Sequence, residues 1–176
     1  MNLQKILNRL QKLHPREIDL SLGRVQNLCK KLGNPQKKLK CISIVGTNGK
    51  YSTIQVIRAI LKEANINVNI YSSPHIQKIN ERFIYNDEEI SDYNLAKLLM
   101  EVEEVNNGEP ITYFEILTAA YFFYAKNYNN INLIESGLFH RFDATNIIKE
   151  NLASIITAIG FDHLDWLPEN EQTIEK

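Results

Sequence analysis

The stretch Cys41-Ile-Ser-Ile-Val45, followed by Gly46-Thr-Asn-Gly-Lys50, decides the fold. Its first five residues are a short β-branched run, which predicts a strand. Beyond the two glycines, apolar residues recur at helical spacing, at Ile54, Ile57, Ile60 and Leu61. Strand, tight loop and helix in this order suit a phosphate site. Glycines let backbone N–H groups approach phosphates, and a helix N-terminus attracts negative charge.

Lys50 closes this loop and would reach the outer phosphates of a nucleotide. The loop is not a complete Walker A motif, because Ile44 stands where that motif has its first glycine and Tyr51 where it has serine or threonine. Taken alone, the loop is therefore also compatible with an ordinary turn between a strand and a helix.

Further elements on both sides predict an α/β domain. Helical apolar spacing covers residues 3–13, stopped by His14-Pro15, and residues 25–32, stopped by Gly33-Asn34-Pro35. Residues 16–22 are expected to form an irregular loop. The later predicted elements are strands at 68–71, 131–134 and 153–159, a hairpin arm at 82–85, and helices from Ser91 to about Val105 and over 112–127. We predict three layers with a mostly parallel sheet, in which the strands at 131–134 and 153–159 are buried.

Composition and charge narrow the classes of function. The chain has 176 residues, 44% of them hydrophobic, and a net charge of -1, which is typical of one globular domain and disfavours nucleic acid or an anionic membrane as a partner. No apolar run approaches the roughly 20 residues that span a bilayer, and the N-terminus lacks an uncharged apolar segment, so we expect a cytoplasmic protein. Cys29 and Cys41 have no metal or redox spacing and are expected to be small side chains that are buried or half-buried.

Polar clusters follow three of the predicted strands. They are Ser72-Ser-Pro-His75, Glu135-Ser-Gly137 and Gly160-Phe-Asp-His163-Leu-Asp165. Open α/β sheets bind ligands at the carboxyl ends of their strands, so these clusters and the phosphate loop are expected to converge there. A hydroxyl, a carboxylate and an imidazole near a nucleotide could hold the divalent cation that offsets phosphate charge.

Seven motifs, in this order, resemble the folylpolyglutamate synthase/dihydrofolate synthase branch of the Mur ligase superfamily, from about Glu17 to the end of the chain. They are Gly46-Thr-Asn-Gly-Lys-Tyr-Ser52, Tyr71-Ser-Ser-Pro-His75, Asn80-Glu-Arg82, Thr112-Tyr-Phe-Glu115, Glu135-Ser-Gly-Leu-Phe-His-Arg141, Asp143-Ala-Thr-Asn146 and Asp162-His-Leu-Asp-Trp-Leu167. The resemblance implies the α/β central domain of a Mur ligase.

The resemblance also implies a reaction that belongs to folate biosynthesis and one-carbon metabolism. Members of this family use ATP and Mg²⁺ to phosphorylate a carboxylate of dihydropteroate or a folate. The amino group of glutamate then attacks the acyl phosphate and forms an amide, so that ADP and phosphate are the other products.

Roles for individual residues follow from the same match. The expected ATP-binding residues are Gly46, Thr47, Asn48, Gly49, Lys50, Tyr51 and Ser52, and the expected Mg²⁺ ligands are Ser73, Glu135 and His163. Lys50 and His163 are the candidate catalytic residues. The pterin or pteroate site would include Asp19, Leu20, Ser21, Leu22, Thr112, Tyr113, Phe114, Glu115, Phe142, Asp143 and Ala144. Within it, an aromatic ring such as Phe114 could stack on the pterin, and Asp143 could accept hydrogen bonds from ring N–H groups.

The chain departs from the family pattern at three places that normally carry glycine. Tyr51 replaces a glycine of the phosphate loop, Phe139-His140 replaces a pair of glycines, and Ser21 replaces another. The chain also ends before the segment with the family's carbamylated lysine, its adenine contacts and its C-terminal glutamate-binding domain. We therefore expect residues 1–176 to form a truncated Mur-ligase-like ATP-binding domain that is not a competent ligase alone.

Three other functions stay open at this point. The glycine replacements are compatible with a degenerate, non-catalytic relative that binds a nucleotide or a pterin. Lys50 alone is compatible with another P-loop enzyme such as a small kinase, which the incomplete Walker motif disfavours. A cell-wall Mur ligase is closer, but the segments around Thr112 and Ser73 favour the folate branch.

Overall fold

A computed structural model describes residues 2–14, 21–137 and 140–161 of the chain. Its strands are β1 (Lys40–Val45), β2 (Val68–Tyr71), β3 (Phe83–Tyr85), β4 (Glu88–Glu89), β5 (Ile131–Glu135) and β6 (Ala153–Ile156). They form one six-stranded sheet in the order β4-β3-β2-β5-β1-β6. The pairs β2–β5, β5–β1 and β1–β6 are parallel, whereas β2–β3 and β3–β4 are antiparallel. The prediction of a mostly parallel sheet is confirmed.

Within the described residues, five α-helices cover the two faces of this sheet. They are α1 (Leu3–Leu13), α2 (Gly23–Lys31), α3 (Lys50–Glu63), α4 (Asp92–Asn106) and α5 (Tyr113–Ala125). Neighbouring strand residues point to opposite faces. Ile70 and Leu133 accordingly pack with Ile54 of α3, whereas Tyr71 and Ile134 pack with the apolar residues of the other four helices. The arrangement is the predicted three-layer α/β fold.

Local signals in the sequence fix the ends of several elements. Gly33 follows α2 with a φ of +83°, a left-handed conformation that glycine adopts without a steric cost. Ser91 caps α4 by accepting a hydrogen bond from the Asn94 N–H (3.2 Å). Asn86 and Asp87, both with positive φ, form the turn of the predicted hairpin between β3 and β4. These boundaries agree with the sequence to within about two residues.

The prediction that residues 153–159 form a buried strand is wrong. β6 covers only residues 153–156, lies at the edge of the sheet next to β1, and exposes 66% of the Ile156 side chain. An apolar run of this kind is typical of a strand covered on both faces, but the run itself does not reveal whether the strand is central or at an edge.

The two cysteines are free thiols, and both are buried, as the sequence indicates. Cys29 lies in α2 and Cys41 in β1, and burial raises the pKa of each thiol to about 12. They act as small apolar side chains of the core. Among the described helices, none has the length and apolar character required to cross a membrane.

Candidate functional site

The loop between β1 and α3 is held in a shape that needs glycine. Gly46 has a φ of +136°, and a Cβ atom there would lie 2.2 Å from Thr157 Oγ1. Gly49, with a φ of +85°, precedes the first residue of α3. Thr47 ties the loop to the segment after β6, since its hydroxyl lies 3.0 Å from both the N and the O of Gly160. The loop is therefore a fixed backbone feature.

The N–H groups of this loop divide into two sets. Those of Thr47 and Asn48 donate to the Ala158 carbonyl, at 2.8 and 3.3 Å. Those of Lys50, Tyr51 and Ser52 lie in the first turn of α3, where N–H groups have no acceptor within the helix. Donors at a helix N-terminus suit an anion, so the second set is the part of the loop that can bind phosphate oxygens.

The Lys50 side chain folds over its own loop. Its Nζ donates to the carbonyl of Gly46 (2.7 Å) and lies 3.3 Å from that of Thr47. A phosphate bound at the first turn of α3 would meet this ammonium group by exchanging neutral carbonyl acceptors for a charged one. Hydrogen bonds to charged acceptors are the stronger kind, so that exchange is favourable.

Tyr51 does not fill the loop from within. Its side chain is 59% exposed at the second position of α3. The large tyrosine side chain therefore faces solvent, and the backbone around it has ordinary helical geometry.

Glu135 and Ser73 come together at the ends of neighbouring parallel strands. Glu135 is the last residue of β5, Ser73 follows β2, and the Ser73 N–H donates to Glu135 Oε2 at 3.0 Å. The carboxylate is only 5% exposed, and burial raises its pKa, while the nearby charges of Lys50 and Arg82 act in the opposite direction. The structure thus groups Glu135, Ser73 and Lys50 at one edge of the sheet.

This pair has the chemistry that Mg²⁺ prefers. A carboxylate and a hydroxyl are hard oxygen donors, and Mg²⁺ in nucleotide sites is usually held by one or two carboxylates together with phosphates and waters. The described residues contain no group of three or more His, Cys, Asp or Glu side chains that could hold a metal ion by themselves. His163, the third predicted ligand, lies outside the described residues, so its role stays a prediction.

Four residues predicted for the pterin or pteroate site lie at the start of α5, where some cap the helix and others are partly exposed. Thr112 and Glu115 form a capping box: the Thr112 hydroxyl accepts from the Glu115 N–H (3.2 Å), and the Glu115 carboxylate accepts from the Thr112 N–H (2.7 Å). Glu115 also pairs with Arg24 of α2 (3.0 Å). Tyr113 is buried, whereas Phe114 is half-buried with its ring centroid 6.1 Å from that of Tyr71. Of these four, Phe114 is the one whose ring remains partly available to a ligand.

Asp143 is buried and lies close to Gly137. Burial raises its pKa, and its Oδ1 accepts hydrogen bonds from the N–H and the hydroxyl of Thr145. A Cβ atom on Gly137 would come within 2.6 Å of Asp143 Oδ2. The neighbouring Ala144 is buried and Phe142 is 36% exposed. The other predicted residues are Ser21, which is exposed, Leu22, which is half-buried, and Asp19 and Leu20, which lie outside the described residues.

A polar network formed by Ser136, Thr145 and His140 lies next to Asp143, and sequence analysis assigned no role to it. The Ser136 hydroxyl lies 3.1 Å from Thr145 Oγ1 and 3.0 Å from His140 Nδ1. His140 has a φ of +31°, in the left-handed region that favours glycine, which is the residue the family pattern has there. The position of Ser136 directly after Glu135 could have indicated this network, because polar residues at the carboxyl ends of parallel strands often line the ligand site.

Sequence reasoning also left His75 and Arg82 without a role. The Arg82 Nε donates to His75 Nδ1 at 2.9 Å. Both residues stand inside motifs that carry the family resemblance, and His75 follows β2 just as Ser73 does. Only the fold shows that the segment before β3 returns to this edge of the sheet.

The comparisons with known proteins point to one family. No family model matches the chain. It is 39% identical over 155 residues to the dihydrofolate synthase/folylpolyglutamate synthase of Bacillus subtilis, covering 83% of the chain and 36% of that protein. It is 33% identical over 169 residues to the protein of the same name from Escherichia coli, covering 96% of the chain and 40% of the relative.

Two solved structures resemble the whole described architecture. E. coli FolC in complex with DHPP and ADP superimposes with a TM-score of 0.88 at 32% identity, covering 98% of the chain and 42% of the FolC chain. The bifunctional folylpolyglutamate synthase/dihydrofolate synthase of Yersinia pestis, complexed with AMPPNP and Mn ion, has a TM-score of 0.87 at 32% identity, covering 99% and 42%. The chain spans about two fifths of the length of these relatives.

Proposed function

Because this chain belongs to the dihydrofolate synthase/folylpolyglutamate synthase family, we propose that it provides the ATP-binding part of a ligase that adds glutamate to dihydropteroate or a folate. One observation carries the proposal: Lys50, Glu135 and Ser73 meet at the carboxyl ends of β1, β5 and β2. This is the edge at which open α/β sheets bind nucleotides. The matched part is about two fifths of the relatives' length, so binding of glutamate is proposed for the whole enzyme and is not assigned to these residues.

The nucleotide half of the reaction requires the phosphates to be held and their charge to be offset. The N–H groups of the first turn of α3 and the Lys50 ammonium group would bind the β- and γ-phosphate oxygens. Mg²⁺, when bound, would neutralise phosphate charge, and Ser73 and Glu135 are the described residues that would hold it. Because the Ser73 N–H already orients Glu135 Oε2, the carboxylate is positioned before any ligand arrives.

The second half of the reaction involves the acceptor substrate, the pteroate or folate, and begins with its carboxylate. Its oxygen attacks the γ-phosphorus and displaces ADP, and the resulting acyl phosphate is attacked by the glutamate amine, which releases phosphate and forms the amide. Phe114 offers a partly exposed ring on which a pterin could stack, and Asp143 offers a buried acceptor for its N–H groups. These residues would hold the acceptor so that its carboxylate faces the nucleotide.

A cytoplasmic location fits this function. The substrate ATP is abundant in the cytoplasm, and the two unpaired cysteines suit a compartment that keeps thiols reduced.

The test is a calorimetric titration of Mg-ATP into the chain and its Lys50→Ala variant. We expect the unsubstituted chain to bind and Lys50→Ala to bind at least about 10-fold more weakly, because a charge-assisted contact to phosphate is lost. Lys62→Ala, at the exposed far end of α3, is the matched control and should bind like the unsubstituted chain. Absence of binding, or equal binding by Lys50→Ala, would refute the proposal and favour a non-catalytic relative.

A further inference from the structure

The loop after β2 joins two parts of the site. On one side, the Ser73 N–H donates to Glu135 Oε2 at 3.0 Å. On the other side, the Ser72 N–H donates to the Arg82 carbonyl (3.4 Å), and the Arg82 Nε donates to His75 Nδ1 (2.9 Å). Arg82 is therefore held by the same short loop that positions the buried carboxylate.

The segment that leads to Arg82 is itself ordered by one carboxylate. Glu81 accepts hydrogen bonds from the N–H groups of Ile76, Gln77 and Lys78, at 2.7 to 2.8 Å. These bonds fold residues 76–81 into a closed turn that returns the chain to β3. The Arg82 side chain thus starts from a fixed backbone, which lowers the entropy lost when it binds a ligand.

The order of the strands places Arg82 away from the nucleotide. Passing across the sheet from β1 through β5 and β2 to β3, the edge carries Lys50, Glu135, Ser73 and Arg82 in turn. β3 is antiparallel to β2, so its first residue lies at the edge where β2 ends. Lys50 lies on the phosphate side of Glu135, and Arg82 lies on the opposite side.

The side chains on which the charge of Arg82 acts lie near the part of the site that would bind the acceptor substrate. Burial raises the pKa of both Glu135 and Tyr71, and the nearby charge of Arg82 opposes that rise at each of them. The Tyr71 ring in turn lies 6.1 Å from the half-buried ring of Phe114. Arg82 is itself half-buried, and its charge acts both on the candidate metal ligand Glu135 and on Tyr71, which contacts the candidate stacking ring.

We propose that Arg82 binds the carboxylate of the acceptor substrate and that His75 is the positioning residue that orients its guanidinium group. This inference rests on the proposed function. An acceptor carboxylate approaching Glu135 and a triphosphate is repelled by both, and a guanidinium group offsets that repulsion while presenting paired donors to both carboxylate oxygens. Lys50 cannot do this, because it faces the phosphates from the other side of Glu135.

The test compares two ligands that differ in one group. Pteroate and pteroate carboxamide are titrated into the chain by fluorescence, and the ratio of their dissociation constants measures what the carboxylate contributes to binding. Arg82→Gln should weaken pteroate binding about 10- to 100-fold and leave the carboxamide unchanged. Arg82→Lys should fall between, since lysine keeps the charge without the paired donors. Lys97→Gln, an exposed change in α4, is the control.

The positioning role of His75 is tested with the same ratio of the dissociation constants for pteroate and pteroate carboxamide. His75→Ala should weaken pteroate binding several-fold without affecting the carboxamide, and His75→Asn, whose side-chain oxygen can also accept from Arg82, should restore most of the preference. Equal loss for both ligands in the Arg82 and His75 variants would show a merely structural role and overturn the inference. Mg-ATP binding without pteroate binding by the unsubstituted chain would overturn this inference alone, whereas absence of Mg-ATP binding would overturn the proposed function as well.

Discussion

Replacing Gly46 by alanine should destabilise the domain through the contact between the phosphate loop and the segment that follows β6. A Cβ atom at residue 46 would lie 2.2 Å from Thr157 Oγ1 and 3.2 Å from the Ala158 carbonyl oxygen. The first distance is far inside van der Waals contact. Thr157 Oγ1 is not free to move away without loss, because it donates to the Val45 carbonyl at 3.1 Å.

The expected cost has two parts. A φ of +136° lies outside the range that alanine prefers, which costs about 1–2 kcal/mol. Displacing the Thr157 hydroxyl gives up a hydrogen bond worth about 0.5–1.5 kcal/mol. Gly46→Ala should therefore lower the free energy of unfolding by about 1.5–3.5 kcal/mol.

Urea unfolding followed by circular dichroism measures this change, with Gly108→Ala as the matched control. Gly108 also has a positive φ, +74°, but a Cβ atom there meets nothing within 4 Å, so the control isolates the backbone cost. The double variant Gly46→Ala/Thr157→Ala removes the clashing oxygen and should be about 1 kcal/mol more stable than the sum of the single effects predicts. A Gly46→Ala cost no larger than that of Gly108→Ala, with additive effects in the double variant, would refute the reasoning.

Two further predictions concern residues of the candidate site. Glu135→Gln should raise the free energy of unfolding at neutral pH. Burial raises the pKa of Glu135 in the native protein above its ordinary 4.5, so the native protein loses stability as the pH rises past that value. Glutamine does not ionise, and the substitution therefore removes this loss. Urea midpoints from about pH 4 to 8 measure the effect, and a variant whose stability follows the same pH curve as the unsubstituted chain would contradict it. Thr112→Ala should cost about 1 kcal/mol by removing the α5 cap, whereas Thr112→Ser should keep it. Equal thermal midpoints for the two variants would show that the hydroxyl does not cap the helix.

The elements of the fold followed from local signals in the sequence. Gly33 and Ser91 each stand at a helix end for a stated physical reason, and the β-branched runs mark the strands. The position of β6 was not accessible in this way, because an edge strand and a central strand can have the same composition. Its place depends on which strand pairs with β1, which is a property of the whole sheet.

Sequence analysis named Lys50, Ser73 and Glu135, which the structure brings to one edge of the sheet, but it did not show which candidate residues are committed to structural contacts. The sequence places Glu115 and Phe114 side by side, yet Glu115 is committed to Arg24, 91 positions away in the chain, while Phe114 stays available. Arg82 and Glu135 are likewise distant in sequence, and their proximity arises because β3 is antiparallel to its neighbour. Spacing along the chain does not encode such pairings, since they depend on how the elements pack.

The phosphate loop connects ligand binding to the stability of the sheet edge. Thr47 binds Gly160, and its N–H and that of Asn48 bind Ala158, so the loop and the segment after β6 share one set of hydrogen bonds. The donors left for an anion belong to α3, one turn further on. A phosphate therefore adds contacts to the loop without breaking those that hold β6. Since a ligand that binds only the folded state stabilises that state, nucleotide binding and the order of β6 should reinforce each other through Gly46 and Thr47.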